Sequence, residues 1–187
     1  MFISRRAHYF NPDEAARRIL SANAGIALAE ANSAAWRQGT RLLERAIAER
    51  LNFAFETTLG GHTIAALLES ALSAGIEVRV WYVGLATAEV HIARVRARVA
   101  KGGHDIPEAS IRERFDRSRL NLIQLMRKLT ELRVYDNTVE ADPDAGAAPE
   151  PKLLLHISRG KIVSPCDLAA TPQWAKPILA AAIKSQK

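Results

Sequence analysis

Three short polar groups follow apolar runs in this sequence, and each combines residue types that could do chemistry. Asn11-Pro12-Asp13-Glu14 comes first, Glu56-Thr57-Thr58 follows Phe53-Ala54-Phe55, and Tyr135-Asp136-Asn137 closes a run that opens at Leu132. Glu56 is costly to bury after an apolar run unless it is paired or meets a cation. A structural ion pair satisfies that condition as well as a bound metal does. Local chemistry competes in the other two groups. Asn11 is a good helix cap, Pro12 suits a first helical turn and Asp13 gains from the field there. Tyr135-Asp136-Asn137 also reads as a turn.

A second feature is positive charge. Seven arginines (Arg94, Arg96, Arg98, Arg112, Arg114, Arg117 and Arg119) and Lys101 share one stretch with four acids: Asp105, Glu108, Glu113 and Asp116. Phosphoryl transfer needs positioned cations against the charge of the moving group, and a base for the acceptor hydroxyl. Arginine supplies planar, bidentate donors for phosphate oxygens. The same stretch also reads as two solvated helices. The formal charge of +6 favours an anionic partner, whether nucleic acid, nucleotide or sugar phosphate. The basic helices lack the aromatic platforms of single-strand binders, so nucleic acid ranks last. No zinc-ligand spacing, G-x-S-x-G elbow or dinucleotide G-x-G-x-x-G occurs, and His62 and His104 read as loop residues.

The elements that must hold these groups alternate. Asn52–Leu59, Glu77–Leu85 and Leu132–Asn137 read as strands buried on both faces, with a shorter strand around His8–Asn11. Helical periodicity fills the intervals. In Ser33–Arg50 the residues Trp36, Thr40, Leu43 and Ile47 form the expected buried face. A helix over Thr63–Ser73 is expected to end near Gly75. Another over Thr87–Lys101 stops at Gly102-Gly103, and a fourth starts near Asp105–Glu108 and buries Ile111, Phe115, Leu122, Leu125 and Leu129. Strand–helix alternation predicts α/β architecture with a mainly parallel sheet. Residues 140–150 read as a linker or mobile loop, Leu153–Ile157 and Lys161–Val163 as a hairpin, and Pro172–Ile183 as a final helix.

At 187 residues the chain is long enough to bury a core without metals or disulfides, and its one cysteine, Cys166, forms no internal disulfide. No apolar run reaches bilayer-spanning length and the N-terminus lacks a signal-peptide core. A cytoplasmic protein without a membrane partner is therefore expected.

In this order and spacing, Asn-Pro-Asp-Glu (11–14), Phe-Glu-Thr-Thr-Leu (55–59), Gly-Gly-His-Asp-Ile-Pro (102–107), Arg-Glu-Arg-Phe (112–115) and Tyr-Asp-Asn (135–137) resemble the zeta-toxin family of P-loop kinases. The resemblance covers roughly residues 8–140. It implies a three-layer P-loop NTPase-like fold, with residues 1–139 as the kinase body and a helical lid at about 87–119; the hairpin and helix of 151–187 lie beyond it. It also implies ATP-dependent phosphorylation of a small-molecule hydroxyl; the better-known toxins phosphorylate UDP-N-acetylamino sugars with ATP and Mg2+. Asp13 matches the catalytic base. Glu56, Thr57 and Thr58 match the acceptor and metal motif, with Glu56 on the metal side. Arg94, Arg98, Arg114 and Arg117 fall among the lid arginines that contact ATP, and Asn137 falls near the nucleotide base. An antitoxin partner is left open. The family's opening strand and G-x-x-x-x-G-K-[ST] loop have no counterpart in this sequence. Two expectations follow: roughly 30 further residues upstream, the size of a strand–loop–helix unit, or an inactive relative that serves as a binding or scaffold protein. The persistence of Asp13, Glu56 and the arginines favours the first.

Overall fold

The structure, a computed structural model, describes residues 8–103, 105–139, 150–164 and 166–186. It opens with strand β1 (His8–Phe10) and helix α1 (Pro12–Ala22), followed by the long helix α2 (Leu28–Glu49) and strand β2 (Phe53–Phe55). Helix α3 (His62–Ser73) leads to β3 (Arg79–Gly84), and helices α4 (Ala88–Ala100) and α5 (Glu108–Leu125) lie between β3 and β4 (Glu131–Asp136). The chain finishes with β5 (Lys152–Ser158), β6 (Lys161–Ile162) and α6 (Lys176–Lys184).

The strands form two sheets. β1 and β2 pair in parallel, with Tyr9 opposite Ala54. The second sheet has the order β3-β4-β5-β6, with β3 and β4 parallel and the last two strands antiparallel. The β5–β6 hairpin turns at Arg159 and Gly160, both at positive φ, which matches the right-handed twist of the strands it joins. Mixed α/β architecture with parallel pairing therefore agrees with the sequence reading. Of the expected linker at 140–150, residues 140–149 lie outside the described residues, as does His104.

One face of the second sheet carries the core. Leu132, Val134, Leu155 and Ile157 pack against Leu122, Leu125 and Met126 on and beside α5, and against Ile178 and Leu179 on α6. The other face is open along β3, where Trp81 is 57% and Val83 52% exposed. The expectation of strands buried on both faces is corrected here: no described helix covers these two side chains. β2 is also shorter than its apolar run, because the backbone after Phe55 turns into a loop.

The buried face of α2 also differs from the expected one. It is built from Ala31, Ala35, Thr40, Leu43 and Ala46, while Trp36 points outward and is 50% exposed. Small side chains let α1 approach closely, with Ala16 of α1 buried against them, and an indole would hold the helices apart. Gly39 serves the same end. A Cβ there would lie 2.5 Å from the Phe10 ring, so its absence seats β1 against α2.

Helix ends follow the sequence signals closely. Asn11 Oδ1 accepts from the N–H groups of Asp13 (2.9 Å) and Glu14 (3.1 Å), and Thr87 Oγ1 accepts from Val90 N. At the end of α4, Gly102 N donates to Val99 O and Gly103 N to Arg98 O, a Schellman cap with Gly102 at φ +86°.

Candidate functional site

A cavity of about 870 Å³ opens between α1 and α4. Asp13 and Arg17 line it from α1; Arg94, Arg98, Lys101 and Gly102-Gly103 line it from α4 and its cap. The wall is completed by Leu20, Leu28 and Asn32 among others. Asp13, Arg94 and Arg98, far apart in sequence, thus share one cavity. Their spacing explains the convergence. Arg94, Arg98 and Lys101 recur at intervals of four and three residues, and Asp13 and Arg17 are four apart, so each set lies on one side of its helix. Four cations against one carboxylate make the cavity a place for anions.

Arg94 has a second task. Its guanidinium donates to the carbonyl oxygens of Asn137 (2.8 Å) and Thr138 (3.2 Å), which ties α4 to the carboxyl end of β4. Asn137 is fixed further by its N–H, which donates to Gly84 O at 2.9 Å. Its side-chain Oδ1 is buried and accepts no hydrogen bond among the described residues. Beside it, Asp136 Oδ1 accepts from Thr138 and from Trp174 Nε1 (3.1 Å). The Trp174 ring lies over Gly84, where a Cβ would come within 2.2 Å of it. The C-terminal segment therefore packs directly on the ends of β3 and β4.

Glu56 lies at the end of β2 and is exposed, so the expected burial of its carboxylate is corrected. The backbone leaves the sheet at this point, and the side chain meets neighbours on β1 instead of core. One oxygen accepts from the Tyr9 hydroxyl and the other from Asn11 Nδ2 at 3.0 Å. Donation to this carboxylate raises the Tyr9 phenol above its ordinary value. Asn11 connects the two acids: its Oδ1 caps the helix that carries Asp13, and its Nδ2 holds Glu56.

Thr57 Oγ1 accepts from Leu59 N at 3.1 Å, and Thr58 is exposed in the same turn. Leu59 stands at φ +53°. Buried Asn121 of α5 holds this turn by donating to Leu59 O (2.7 Å) and Gly61 O (3.2 Å). Arg114 packs its stem on Gly60, where a Cβ would lie 2.7 Å from Arg114 Cγ. Arg117 pairs with Glu113 at 2.7 Å along the exposed side of α5. The structure thus divides the four arginines expected to contact ATP: Arg94 and Arg98 line the cavity, Arg114 sits at the Glu56–Gly60 turn, and Arg117 faces solvent.

Sequence reasoning missed Tyr9, Arg17, Asn32 and Asn121 as parts of this region, and it placed Lys101 in the basic stretch beside Arg94 and Arg98 without naming it a site residue. Arg17 and Lys101 carried a usable signal in their helical spacing from Asp13 and Arg98. Asn121 carried none, because a polar residue within a helix normally reads as exposed.

Among the described residues, no group of three His, Cys, Asp or Glu side chains could hold a metal ion. Magnesium needs no such cage, since one carboxylate, water and substrate phosphates suffice. Glu56 is exposed and each of its oxygens keeps a second lone pair, so it suits that arrangement. No described helix is long and apolar enough to cross a membrane.

Comparisons with known proteins bear on the family. The family model described as Zeta toxin matches residues 14–142, a range that begins one residue after Asp13 and spans Glu56, Arg94, Arg98, Arg114, Arg117 and Asn137. A Haemophilus influenzae protein described only as uncharacterized is 35% identical over 81 residues, which is 43% of this chain. The chain spans 58% of that relative's length. No solved structure matches.

Proposed function

Since the chain belongs to the zeta-toxin family, we propose that it forms the acceptor and lid side of an ATP-dependent small-molecule kinase. The supporting observation is the cavity that Asp13 shares with Arg94 and Arg98. In this reading Asp13 takes the proton of the acceptor hydroxyl as its oxygen attacks the γ-phosphorus of ATP. The arginines offset charge on the phosphoryl oxygens as the bond to ADP breaks. Glu56, Thr57 and Thr58 border the acceptor, and Asn137, with its buried Oδ1, lies toward the nucleotide base. Magnesium would be held on the Glu56 side and supply charge neutralisation between the phosphates.

A nucleotide sugar is the acceptor to test first, and an antitoxin is the protein partner the family leads one to expect. The reading requires a phosphate-binding loop, and no G-x-x-x-x-G-K-[ST] occurs in residues 1–187. The free edges of β2 and β3 suit a strand that would carry such a loop. Each strand pairs on one side only among the described residues.

The test combines the intact mass of the native product with phosphate transfer from ATP. A product extended upstream by a glycine-rich loop, active on a hydroxyl acceptor and silenced by Asp13→Asn with ATP binding retained, supports the reading. A product beginning at Met1 that neither binds ATP nor transfers phosphate favours the second reading, a binding or scaffold protein built on the same fold. Undiminished turnover by Asp13→Asn removes the role given to that residue.

A further inference from the structure

Basic residues from three separate segments meet at the end of the second sheet where β4 begins. Arg127 and Lys128 precede β4, Arg159 and Lys161 flank Gly160 at the β5–β6 turn, and Lys184 closes α6. Hydrogen bonds hold the segments together. Arg159 N donates to Thr130 O at 2.8 Å, Gln186 Nε2 to Gly160 O at 2.8 Å, and Ile162 N to Gln186 Oε1 at 3.4 Å. A cavity of about 320 Å³ lies at the junction, with Arg127, Gly160, Lys184 and Ser185 in its wall and no acid.

Charge is unbalanced here, unlike in the basic stretch of α4 and α5. There Arg96, Arg112, Arg117 and Arg119 pair with Glu108, Glu89, Glu113 and Asp116. At the sheet end Lys128 has such a partner, Glu69 at 2.6 Å. Among the described residues the side chains of Arg127, Arg159, Lys161 and Lys184 make no hydrogen bond or ion pair. Glu77 and Glu131, the acids beside the starts of β3 and β4, are engaged instead with Arg79, Arg133 and His156.

Arg159 adds an independent sign. It takes the first position of a two-residue turn at φ +47°, followed by Gly160 at φ +76°, where asparagine or glycine is the favoured residue. Turn geometry gives no reason for an arginine there, and charge does. These segments also carry no aromatic residue. They lack both the anchors usual at protein interfaces and the platforms on which unpaired bases stack. Cations alone suit phosphates spaced along a backbone.

We propose that Arg127, Arg159, Lys161 and Lys184 form a docking surface for the phosphate backbone of duplex nucleic acid, bound without regard to sequence. β4 runs from this surface to Asn137, where Arg94 of the α1–α4 cavity is tied, so the two sites lie at opposite ends of the strand. The surface does not depend on the kinase reading.

Fluorescence anisotropy of short labelled DNA and RNA duplexes, titrated with the 187-residue chain at stepped salt, tests this. The logarithm of affinity should fall against that of salt with a slope of about −3 to −4, as for four phosphate contacts. Arg127→Gln, Arg159→Asn and Lys184→Gln should each weaken binding about three- to tenfold and flatten the slope by about one. Arg159→Asn suits the turn better than the parent residue, so its Tm should hold or rise while binding falls. Arg112→Gln, in the basic stretch of α5, should bind like the parent. All these side chains are exposed, and circular dichroism should show every variant folded. Tighter binding of one duplex supports the surface and identifies the source of the backbone. No binding by the parent at low salt, or equal binding by the parent and the three variants, overturns it. Equal losses in Arg112→Gln and the three variants also overturn it, since overall charge would then suffice. A polyglutamate peptide bound through the same residues, with no affinity for either duplex, replaces nucleic acid with an acidic protein partner. Failure of phosphate transfer from ATP changes none of these results.

Discussion

The Asn11 side chain bridges the first turn of α1 and the Glu56 carboxylate, accepting from Asp13 N with one end and donating to Glu56 Oε2 at 3.0 Å with the other. A single amide thereby fixes the start of one element relative to the end of another, with two carboxylates on either side of it. Replacing it separates two effects. Asn11→Ala should cost about 1 kcal/mol through the lost cap, lowering Tm by about 2–4 °C for a chain of this size. Asn11→Ser keeps the cap but cannot span to Glu56. It should restore most of the Tm, which differential scanning calorimetry can check, while any turnover stays reduced.

Asn121 provides a second test. Its amide group satisfies two backbone carbonyls in the Leu59–Gly61 turn, and Asn121→Leu would leave both without that donor in a buried place. The expected loss is about 1–3 kcal/mol. Hydrogen exchange should quicken in the amides of residues 57–62 more than in α6, whose packing does not involve this contact. Uniform acceleration across the chain would contradict a local role.

Gly84 must accommodate the Trp174 ring, so Gly84→Ala should destabilise the fold by about 1–3 kcal/mol, the usual cost of overpacking. Trp174→Phe removes the part of the ring that Cβ would strike, but also the Nε1 donor to Asp136. The double variant should therefore be less destabilised than the sum of the single variants, which chemical denaturation would measure as a favourable coupling.

His91 makes stability depend on pH. Burial first, and then the nearby Arg94 charge, lower its pKa from the ordinary 6.5, and its ring packs edge-on against Phe115 at 5.7 Å. The unfolded chain binds the proton more readily than the folded one. Stability from this group is thus fully present above about pH 6.5 and falls as pH drops toward the lowered folded value. Denaturation at stepped pH values should show this slope, and His91→Gln should flatten it. An unchanged slope would assign it to other groups.

Much of this arrangement was legible in the residues themselves. Caps and terminators have short-range causes, so Asn11 and Thr87 opened their helices, and Gly75 and Gly102 closed theirs, where expected. The hairpin at Arg159-Gly160 was readable for the same reason. Tertiary choices were less visible. Trp36 looked like a core residue by size and period, yet α2 buries alanines because α1 packs too closely for an indole. Glu56 looked buried because it follows Phe53-Ala54-Phe55, but the strand stops at Phe55 and frees it. The site divides in the same way. Asp13, Arg94 and Arg98 were singled out through the family resemblance and share one cavity, whereas the backbone anchors of Arg94 at Asn137 and Thr138 depend on a fold no local pattern encodes.

The open face of β3 bears on how the 187-residue chain should behave in a tube. Trp81 and Val83 present apolar surface, while one edge of the strand offers amide and carbonyl groups with no described partner. Such an edge is a template for pairing with another chain. Colloidal stability should therefore fall with concentration well before the core melts. Light scattering should detect growing particles while the far-ultraviolet spectrum stays native. A lysine at Val83, pointing charge from the exposed face, should keep the solution clear.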